Sequence, residues 1–271
     1  MRSGDARLDP ALRHPNSDGV LPSRHGRSVP GKVLIYGGTG GIGGATAKAL
    51  KARGFDLHLV ARDEARLERA ARELGATTTA GNVTDPDLFA RAAGEAAASG
   101  ALRGLVYAVG TINLKPLAKL ADADFEADFR INALGAAKAV QAALPALRAG
   151  EGAAIVLFST VAVAQGFAAH ASIAMAKGAV EGLTLALAAE LAPKVRVNAI
   201  APSLTRTDLA RSLTANEAVA TGIAQMHALP RLGEGADSGA LAAFLVSDQA
   251  SWITGQIIGV DGGRSTLRTK G

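Results

Sequence analysis

Two side chains that can carry protons lie seven residues apart in the stretch HASIAMAK, residues 170–177. His170 supplies an imidazole, a group that can donate or accept a proton near neutral pH. Lys177 supplies an ammonium, which can act as an acid once it is desolvated. On a helix, seven residues correspond to about 700° of rotation, so both side chains would lie within about 20° of one face. The spacing predicts proton transfer at that face, with a surface histidine at the helix entry as the alternative.

Strands and helices that could position this pair alternate along the chain from Gly31 onward. The candidate strands are KVLIY (32–36), FDLHLVA (55–61), ATTTAGNV (76–83), RGLVYAVG (103–110), AAIVLFS (153–159), VRVNAIAP (195–202) and GQIIGVDGG (255–263). Helices are predicted between them, the longest at 122–149, 168–191 and 235–247. This alternation predicts an α/β fold: a single-domain, Rossmann-like, doubly wound parallel sheet of about seven strands, with helices on both faces.

The two ends of the chain differ from the alternating region, residues 31–263. Residues 1–30 contain four of the ten prolines and no sustained periodicity, which predicts a disordered N-terminal extension. Residues 264–271 form a basic C-terminal tail. The ends contribute +2 and +3 to the formal net charge of +5, so the region between them is neutral. A nucleic-acid partner is therefore not expected.

Cysteine is absent from the sequence, which excludes disulfides, thiolate metal sites and thiol catalysis. No metal site is expected, and a reducing cytoplasm is the expected compartment. No apolar run approaches the roughly 18 residues of a membrane span, so a membrane is not an expected partner.

A glycine-rich stretch, GGTGGIGG at 37–44, separates the first candidate strand from the first helix. Glycines there let the backbone approach a pyrophosphate, while the helix N-terminus faces the anion. Its position after the first strand of an alternating chain favours a dinucleotide site over a simple tight turn. The expected contacts come from Gly37, Thr39, Gly40, Gly41, Ile42 and Gly43.

Several further motifs accompany this loop. They are YGGTGGIG (36–43), RINALG (130–135), VRVNAIAPSLTRT (195–207) and SWITGQIIGVDGG (251–263). Together they resemble the short-chain dehydrogenases/reductases from about Lys32 to Gly263. The resemblance implies an NAD(P)-dependent oxidoreductase that forms a homodimer or homotetramer. The cofactor contacts it implies, beyond the glycine loop, are Val83, Ala108, Gly110, Lys177, Pro202, Leu204, Thr205 and Thr207.

The end of the second strand, LVARD at 59–63, bears on the choice of cofactor. Ala61 stands where NAD enzymes of the resembled family carry Asp, and Arg62 follows it. A guanidinium suits the 2′-phosphate of NADP, so NADP(H) is predicted and NAD is less expected. Asp63 is interpreted either as a helix N-cap or as a ribose ligand. Asn82 stands where the family carries an acid near the adenine, and its amide can donate and accept.

The resembled family uses Asn, Ser, Tyr and Lys in catalysis, the last two as YxxxK on one helix. Asn132 and Lys177 match this set, and Thr160 falls at the hydroxyl position, 13 residues before the Tyr position. The Tyr position holds Ile173, which has no titratable proton. The usual general acid is therefore absent from the sequence.

Three other groups could supply the proton. His170 lies seven residues before Lys177, the spacing at which enoyl-acyl-carrier reductases of the family place their Tyr, and it is the predicted donor. A water held by Ser159 or Thr160 is the second route, and Lys177 itself is the third. Ser172 is the remaining hydroxyl nearby, and a helix residue there can turn away from the site.

These residues predict an NADP(H)-dependent oxidoreductase that reduces a carbonyl or an activated C=C with a nonstandard proton donor. The alternative is a catalytically silent NADP(H)-binding sensor or partner subunit. Segment 207–233 lies where the family carries a substrate lid, and its apolar residues fit either a lid or packing on the sheet edge. Those residues are Leu209, Leu213, Val219, Ile223 and Met226. Val161, Val163 and Phe167 near Ile173 favour a small apolar or acyl substrate.

Overall fold

The computed structural model describes residues 31–268 of the chain. Within this range the strands are β1 (Lys32–Tyr36), β2 (Asp56–Ala61), β3 (Thr77–Ala80), β4 (Leu102–Tyr107), β5 (Ala153–Phe158), β6 (Val195–Pro202), β7 (Thr205–Arg206), β8 (Gly233–Glu234) and β9 (Ile257–Val260). Seven of them form one parallel sheet in the order β3-β2-β1-β4-β5-β6-β9, and β7 pairs with β8. The predicted doubly wound parallel sheet is confirmed.

Helices cover both faces of this sheet. They are α1 (Gly41–Ala52), α2 (Glu64–Leu74), α3 (Leu88–Ala97), α4 (Asp122–Phe129), α5 (Gly135–Ala149), α6 (Val161–Gln165), α7 (Ala171–Leu191), α8 (Arg211–Thr214), α9 (Glu217–Ala224) and α10 (Gly235–Val246). Apolar residues of α3, α5 and α7 fill the core on one face. Those of α1, α2 and α10 fill the core on the other face.

The central strands are buried along their whole length because helices cover both sides. Strands β5 and β6 are buried at every position, which explains the continuous apolar sequence of β5. In β6 the buried side chains of Arg196 and Asn198 donate to the Leu245 and Ile253 carbonyls. Helices α1 and α10 approach closely enough to require glycine. A β-carbon at Gly239 of α10 would lie 2.8 Å from the carbonyl carbon of Ala45, and one at Gly235 would lie 2.3 Å from the carbonyl oxygen of Gly41.

The order of the strands reverses between β1 and β4. The chain runs from β1 outward to β2 and β3, and then from β4 outward to β5, β6 and β9. In doubly wound sheets, ligands bind in the crevice beyond the carboxyl ends of the strands at this reversal. The fold therefore gathers the residues that follow β1, β4, β5 and β6 at one edge of the sheet.

Several predicted elements differ in extent from those in the structure; the helix predicted over 168–191 begins at Ala171 as α7, so His170 precedes it. The helix predicted over 122–149 is interrupted by a π-helical turn at Arg130–Leu134, between α4 and α5. The strands predicted at 103–110 and 255–263 are shorter, as β4 and β9; the Ala108 N–H still donates to the Tyr36 carbonyl at 2.9 Å before the chain leaves the sheet. Segment 207–233 forms α8 and α9. The predicted extension, 1–30, and the tail residues 269–271 lie outside the described residues.

Within residues 31–268, α7 is the helix that is long and apolar enough, by length and composition, to cross a membrane. It packs against β5, β6 and α4, and it carries the buried side chain of Lys177. The central helix of a two-sided α/β fold has the same apolar composition because the sheet covers one of its faces. Its place in the core accounts for its sequence.

Two buried tyrosines in the core make a prediction about stability. Tyr36 is fully buried and its hydroxyl has no hydrogen-bond partner, whereas the Tyr107 hydroxyl donates to the Ile131 carbonyl at 2.7 Å. Tyr36→Phe should raise the free energy of unfolding by about 1 kcal/mol, because it removes an unsatisfied polar group. Tyr107→Phe should lower it by about 1 kcal/mol, because it removes the hydrogen bond to the Ile131 carbonyl. Urea unfolding followed by circular dichroism measures both, and equal losses would contradict the expectation.

Candidate active site

The carboxyl ends of β1, β4, β5 and β6 surround a cavity of about 430 Å³. Its walls contain ten of the residues that the sequence assigns to the site: Ile42, Ala108, Gly110, Thr160, His170, Lys177, Pro202, Leu204, Thr205 and Thr207. The other assigned residues lie outside these walls: Gly37, Thr39, Gly40, Gly41, Gly43, Arg62, Asn82, Val83 and Asn132. They follow β1, β2 and β3 or lie beneath the cavity floor. No group of side chains in residues 31–268 has the composition of a metal site.

The glycine loop has the geometry of an anion cradle. Gly37 has φ +77°, a conformation that favours glycine, and its carbonyl accepts from the Gly40 N–H at 2.9 Å. A β-carbon at Gly43 would lie 2.2 Å from the Gly37 carbonyl oxygen. The first turn of α1 contains no acidic residue, so the positive end of its dipole is not neutralised by its own side chains. The loop therefore fits a pyrophosphate, as its sequence predicts.

Thr207 lies directly against the start of α1. A β-carbon at Gly41 would lie 2.6 Å from the Thr207 methyl carbon. The Thr207 hydroxyl accepts from the Ala210 N–H at 3.2 Å, which caps a short turn of helix. The loop, the N-terminus of α1 and the segment after β6 therefore form one continuous surface.

The residues after β2 and β3 are exposed at the same edge of the sheet. Arg62 is exposed, and Asp63 accepts from the Arg66 N–H at 3.0 Å. Asp63 is therefore the N-cap of α2, the first of its two interpretations. The Asn82 side-chain oxygen accepts from the Thr84 N–H at 3.3 Å, which leaves its amide hydrogens as the groups able to bind a ligand. Val83 lines a smaller cavity beside the main one.

Lys177 is buried, with its side chain held at the end of β5. Its ammonium donates to the Phe158 carbonyl at 2.8 Å. Gly110 makes room for it, because a β-carbon there would lie 3.3 Å from the Lys177 Nζ and 2.9 Å from the Asn132 Oδ1. Burial lowers the pKa of the Lys177 ammonium to about 8, and the carboxylate of Asp128 opposes this shift.

Asn132 lies in the π-helical turn and is held by two hydrogen bonds. Its amide donates to the Thr111 hydroxyl and to the Asp128 carbonyl, both at 2.8 Å. Its side-chain oxygen is buried and unpartnered, facing the space beside Gly110. A buried carbonyl oxygen without a donor is costly, so this atom fits a bound ligand or water.

Asp128 is a buried carboxylate that the sequence reading missed. It accepts from the hydroxyls of Thr111 and Ser172, each at 2.6 Å. Ser172 is therefore turned away from the cavity, as one reading of the sequence has it. The available signal was a charged residue one helical turn before Asn132 in a predicted helix.

The two hydroxyls at the end of β5 differ in what they can do. The Ser159 hydroxyl donates to the Glu181 carboxylate at 2.6 Å, so its hydrogen is already used. The Thr160 hydroxyl caps α6 by accepting from the Ala162 N–H at 3.3 Å, and its only acceptor is the Pro202 carbonyl at the long distance of 3.5 Å. Thr160 is therefore the hydroxyl that can donate to a ligand in the cavity.

His170 and Ile173 both line the cavity at the start of α7. His170 immediately precedes the helix, its Nδ1 lies 2.7 Å from the Ala168 carbonyl, and its ring packs edge-on against Phe167 at 5.4 Å. Ile173 is 5% exposed. The two tyrosines of the sequence, Tyr36 and Tyr107, lie in the core and do not line the cavity.

Apolar side chains form most of the remaining wall. Leu209, Leu213, Ile223 and Met226 from segment 207–233 line the cavity, which favours the lid interpretation for these four. Val219, in contrast, does not line the cavity. Val161 and Phe167 line the cavity and Val163 does not. Arg264 also lines the cavity, a position that its place at the start of the basic tail does not predict.

Comparison with known proteins agrees with this fold and site. A family model described as enoyl-(acyl carrier protein) reductase matches residues 37–265. Galactitol 2-dehydrogenase (L-tagatose-forming) of Cereibacter sphaeroides is 37% identical over 85% of this chain and 93% of its own. A chloroplastic tropinone reductase homologue of Arabidopsis thaliana is 32% identical over 86% of this chain and 75% of its own.

Solved structures give the same assignment. A short-chain type dehydrogenase/reductase from Mycobacterium ulcerans superposes with a TM-score of 0.82 at 32% identity, over 88% of this chain and 90% of that one. A short-chain dehydrogenase/reductase, glucose/ribitol dehydrogenase, from Brucella melitensis superposes with a TM-score of 0.83 at 31% identity. The match covers 88% of this chain and 98% of that one. The chain belongs to the short-chain dehydrogenase/reductase family, a family of oxidoreductases that use a nicotinamide cofactor.

The glycine loop makes a prediction that separates two adjacent positions. Gly43→Ala should weaken binding of NADPH and NADH by at least about tenfold, or ~1.4 kcal/mol, because its β-carbon would displace the Gly37 carbonyl. Gly44→Ala is the control, since its β-carbon would meet nothing closer than 3.5 Å. Fluorescence titration measures both affinities, with circular dichroism to verify folding. Equal affinities in the two variants would show that the loop does not hold the nucleotide.

Proposed function

We propose that the protein is an NADP(H)-dependent oxidoreductase that reduces a carbonyl or an activated C=C of a small apolar or acyl substrate. One observation carries the proposal. Thr160, His170 and Lys177 line a single, mostly apolar cavity that adjoins the glycine loop. This arrangement combines a nucleotide cradle with groups that can polarise an oxygen and move a proton.

The residues after β1 and β2 support the choice of NADP(H). The loop after β1 would hold the pyrophosphate, and the exposed Arg62 lies at the end of the neighbouring strand, where the ribose 2′-phosphate of the adenosine half would be bound. The carboxylate of Asp63 caps α2 by accepting from the Arg66 N–H, which accounts for an acidic residue at this position without a ribose contact. The amide of Asn82, after β3, is suited to the adenine.

The bound cofactor would supply the hydride, and this chain would position the substrate and deliver the proton. The Thr160 hydroxyl would donate to the substrate oxygen. The Lys177 ammonium, held by the Phe158 carbonyl, would orient the nicotinamide ribose and place positive charge near the developing negative charge. The unpartnered oxygen of Asn132 would hold a water close to Lys177.

Ile173 takes the position of the usual tyrosine, so the proton must come from another group. We assign this role to His170. Its Nδ1 donates to the Ala168 carbonyl, which leaves Nε2 to exchange a proton with the substrate, and its packing on Phe167 limits the motion of the ring. The engagement of Ser159 with Glu181 weakens the competing route through a hydroxyl-bound water.

The walls of the cavity favour an apolar substrate. Galactitol, named in one relative, carries a hydroxyl on every carbon, and such a molecule needs many polar partners. Here Ile112, Leu114, Phe167 and Leu213 line the cavity together with Ile173. The family model described as enoyl-(acyl carrier protein) reductase is consistent with an acyl substrate.

We also propose a homodimer or homotetramer in the cytoplasm. Helices α5 and α7 have alanine-rich faces, and Phe129, Leu134 and Leu185 are exposed on or beside them. Large exposed apolar side chains on neighbouring helices are typical of a surface that a second copy covers. Nucleic acid and membrane remain unexpected as partners.

The preference for NADPH should depend on Arg62. A charge-assisted pair with the 2′-phosphate contributes about 1.5–3 kcal/mol, so the unmutated protein should bind NADPH at least about tenfold more tightly than NADH. Arg62→Ala should remove most of that difference, and Arg69→Ala, an exposed change on α2, should not. Fluorescence titration gives both affinities. Equal affinity for the two cofactors in the unmutated protein would exclude the NADP assignment.

Turnover should depend on His170. With a substrate found in a panel of ketones and enoyl compounds, His170→Ala should lower kcat by roughly 10²–10⁴, the scale of a lost general acid, with NADPH affinity nearly unchanged. Ile173→Tyr should create or raise carbonyl reduction, because it restores a phenol one turn from Lys177. In all three proteins the rate should fall as the pH rises through about 8, since Lys177 is charged below that value and neutral above it.

Full activity of His170→Ala would leave Thr160 with a water, or Lys177, as the proton source. The absence of turnover across the panel, together with tight NADPH binding, would favour the silent sensor or partner subunit instead.

A further inference from the structure

The ionisable groups in the walls of the cavity are all basic. Lys177, His170 and Arg264 line it, and no Asp or Glu of the described residues does. Lys177 and His170 already have roles toward the cofactor and the proton. Arg264 is unexplained, and it is the only guanidinium in this wall.

The guanidinium of Arg264 is held against apolar surface. Its central carbon lies 4.8 Å from the centre of the Phe167 ring, and one of its nitrogens lies 3.5 Å from the Met226 sulfur. Both of those side chains line the cavity. Stacking on an aromatic ring fixes the plane of a guanidinium and leaves its edges free to donate.

The backbone around Arg264 is also fixed. Its carbonyl accepts from the Gln165 side chain at 2.8 Å, which ties this segment to the end of α6. The Asp261 carboxylate accepts from the N–H groups of Gly263 and Ser265, each at 2.9 Å, and closes a turn around the residue. Arg264 is therefore placed by the fold, although it is the first residue of the basic tail in sequence.

Arg264 forms no ion pair within 4 Å with any carboxylate of residues 31–268, although eight other Arg or Lys side chains in this range do. Partial burial lowers the pKa of its guanidinium, and the charge of Asp261 opposes this shift. A partly desolvated guanidinium with a weak sulfur contact as its side-chain partner has unused hydrogen-bonding capacity.

We propose that Arg264 binds a carboxylate of the substrate, so that the substrate is an apolar acid that carries its reducible group at a distance from the carboxylate. The planar fork of a guanidinium matches a carboxylate with two parallel hydrogen bonds. A phosphate would call for more than one cation at this end of the cavity, and Arg264 is alone there. The inference rests on the proposed function in one respect: it takes this cavity as the substrate cavity.

The contacts of Phe167 with Arg264 and His170 limit the distance between the carboxylate and the reducible group of such a substrate. Phe167 lies between Arg264 and His170, at 4.8 Å from the guanidinium carbon and 5.4 Å from the imidazole centre. The distance between the guanidinium carbon and the imidazole centre therefore cannot exceed the sum of these two distances, about 10 Å. An oxo or enoyl acid of short to medium chain length spans this distance, with its apolar chain against the lid residues.

Binding of octanoate and octanamide tests the proposal without any need for turnover. The two probes have the same chain and differ in charge. Calorimetric titration of the protein, with and without saturating NADP⁺, should show octanoate bound about tenfold or more tightly than octanamide. Arg264→Gln should abolish this preference and leave octanamide binding unchanged. Arg264→Lys should retain part of it, because a lysine keeps the charge and loses the planar fork.

Arg268→Gln is the matched control, since Arg268 is exposed on the same segment and does not line the cavity. This variant should prefer octanoate over octanamide as strongly as the unmutated protein does. Equal affinity for octanoate and octanamide in the unmutated protein overturns the proposal, and so does a preference that persists in Arg264→Gln. If Arg264→Gln fails to fold, the unmutated protein and Arg264→Lys still decide. Selectivity for octanoate without NADP⁺ binding would contradict the proposed function and support this inference. NADPH-dependent turnover without selectivity for octanoate would support the proposed function and contradict this inference.

Discussion

The approach of α1 to the end of β1 is the constraint on which the rest of the structure depends. Only hydrogen atoms fit between the Gly37 carbonyl and the α-carbon of Gly43, since a β-carbon there would lie 2.2 Å from the oxygen. The same helix start contacts Thr207 from beyond β6 and α10 through Gly235. The proposed cofactor cradle, its contact with the segment after β6 and the packing of α1 on α10 therefore all depend on this close approach.

Buried polar groups beneath the cavity form the second fixed part. Lys177 is anchored by the end of β5, and Asn132 by Thr111 and the π-helical turn, so neither side chain needs a bound ligand to hold its place. The carboxylate of Asp128 connects Thr111 to Ser172 and keeps negative charge near the buried ammonium. Such preorganised groups cost little rearrangement when charge develops on a substrate, which is how they stabilise a transition state.

The start of α7 is the part of the cavity on which the proposed proton transfer depends. Ile173 and His170 both line the cavity there, and His170 immediately precedes the helix. The ring of Phe167 packs edge-to-face with the His170 imidazole, and the guanidinium of Arg264 lies over the same ring. The proposed proton donor and the proposed anchoring charge are therefore held by contacts with the same phenylalanine ring.

The sequence by itself determined the sheet, the glycine loop and the residues that follow each strand, because local periodicity and glycine position report directly on backbone geometry. It also predicted that His170 and Lys177 face one site, and both line the cavity although His170 precedes α7 instead of lying on it. It did not reveal the buried contacts of Asp128 or the position of Arg264 in the cavity wall. Those depend on contacts between segments far apart in the chain, such as Arg264 with Phe167 or Asp128 with Ser172. Only the tertiary structure decided them, since burial and hydrogen-bond partners arise from packing and have no signature in local sequence.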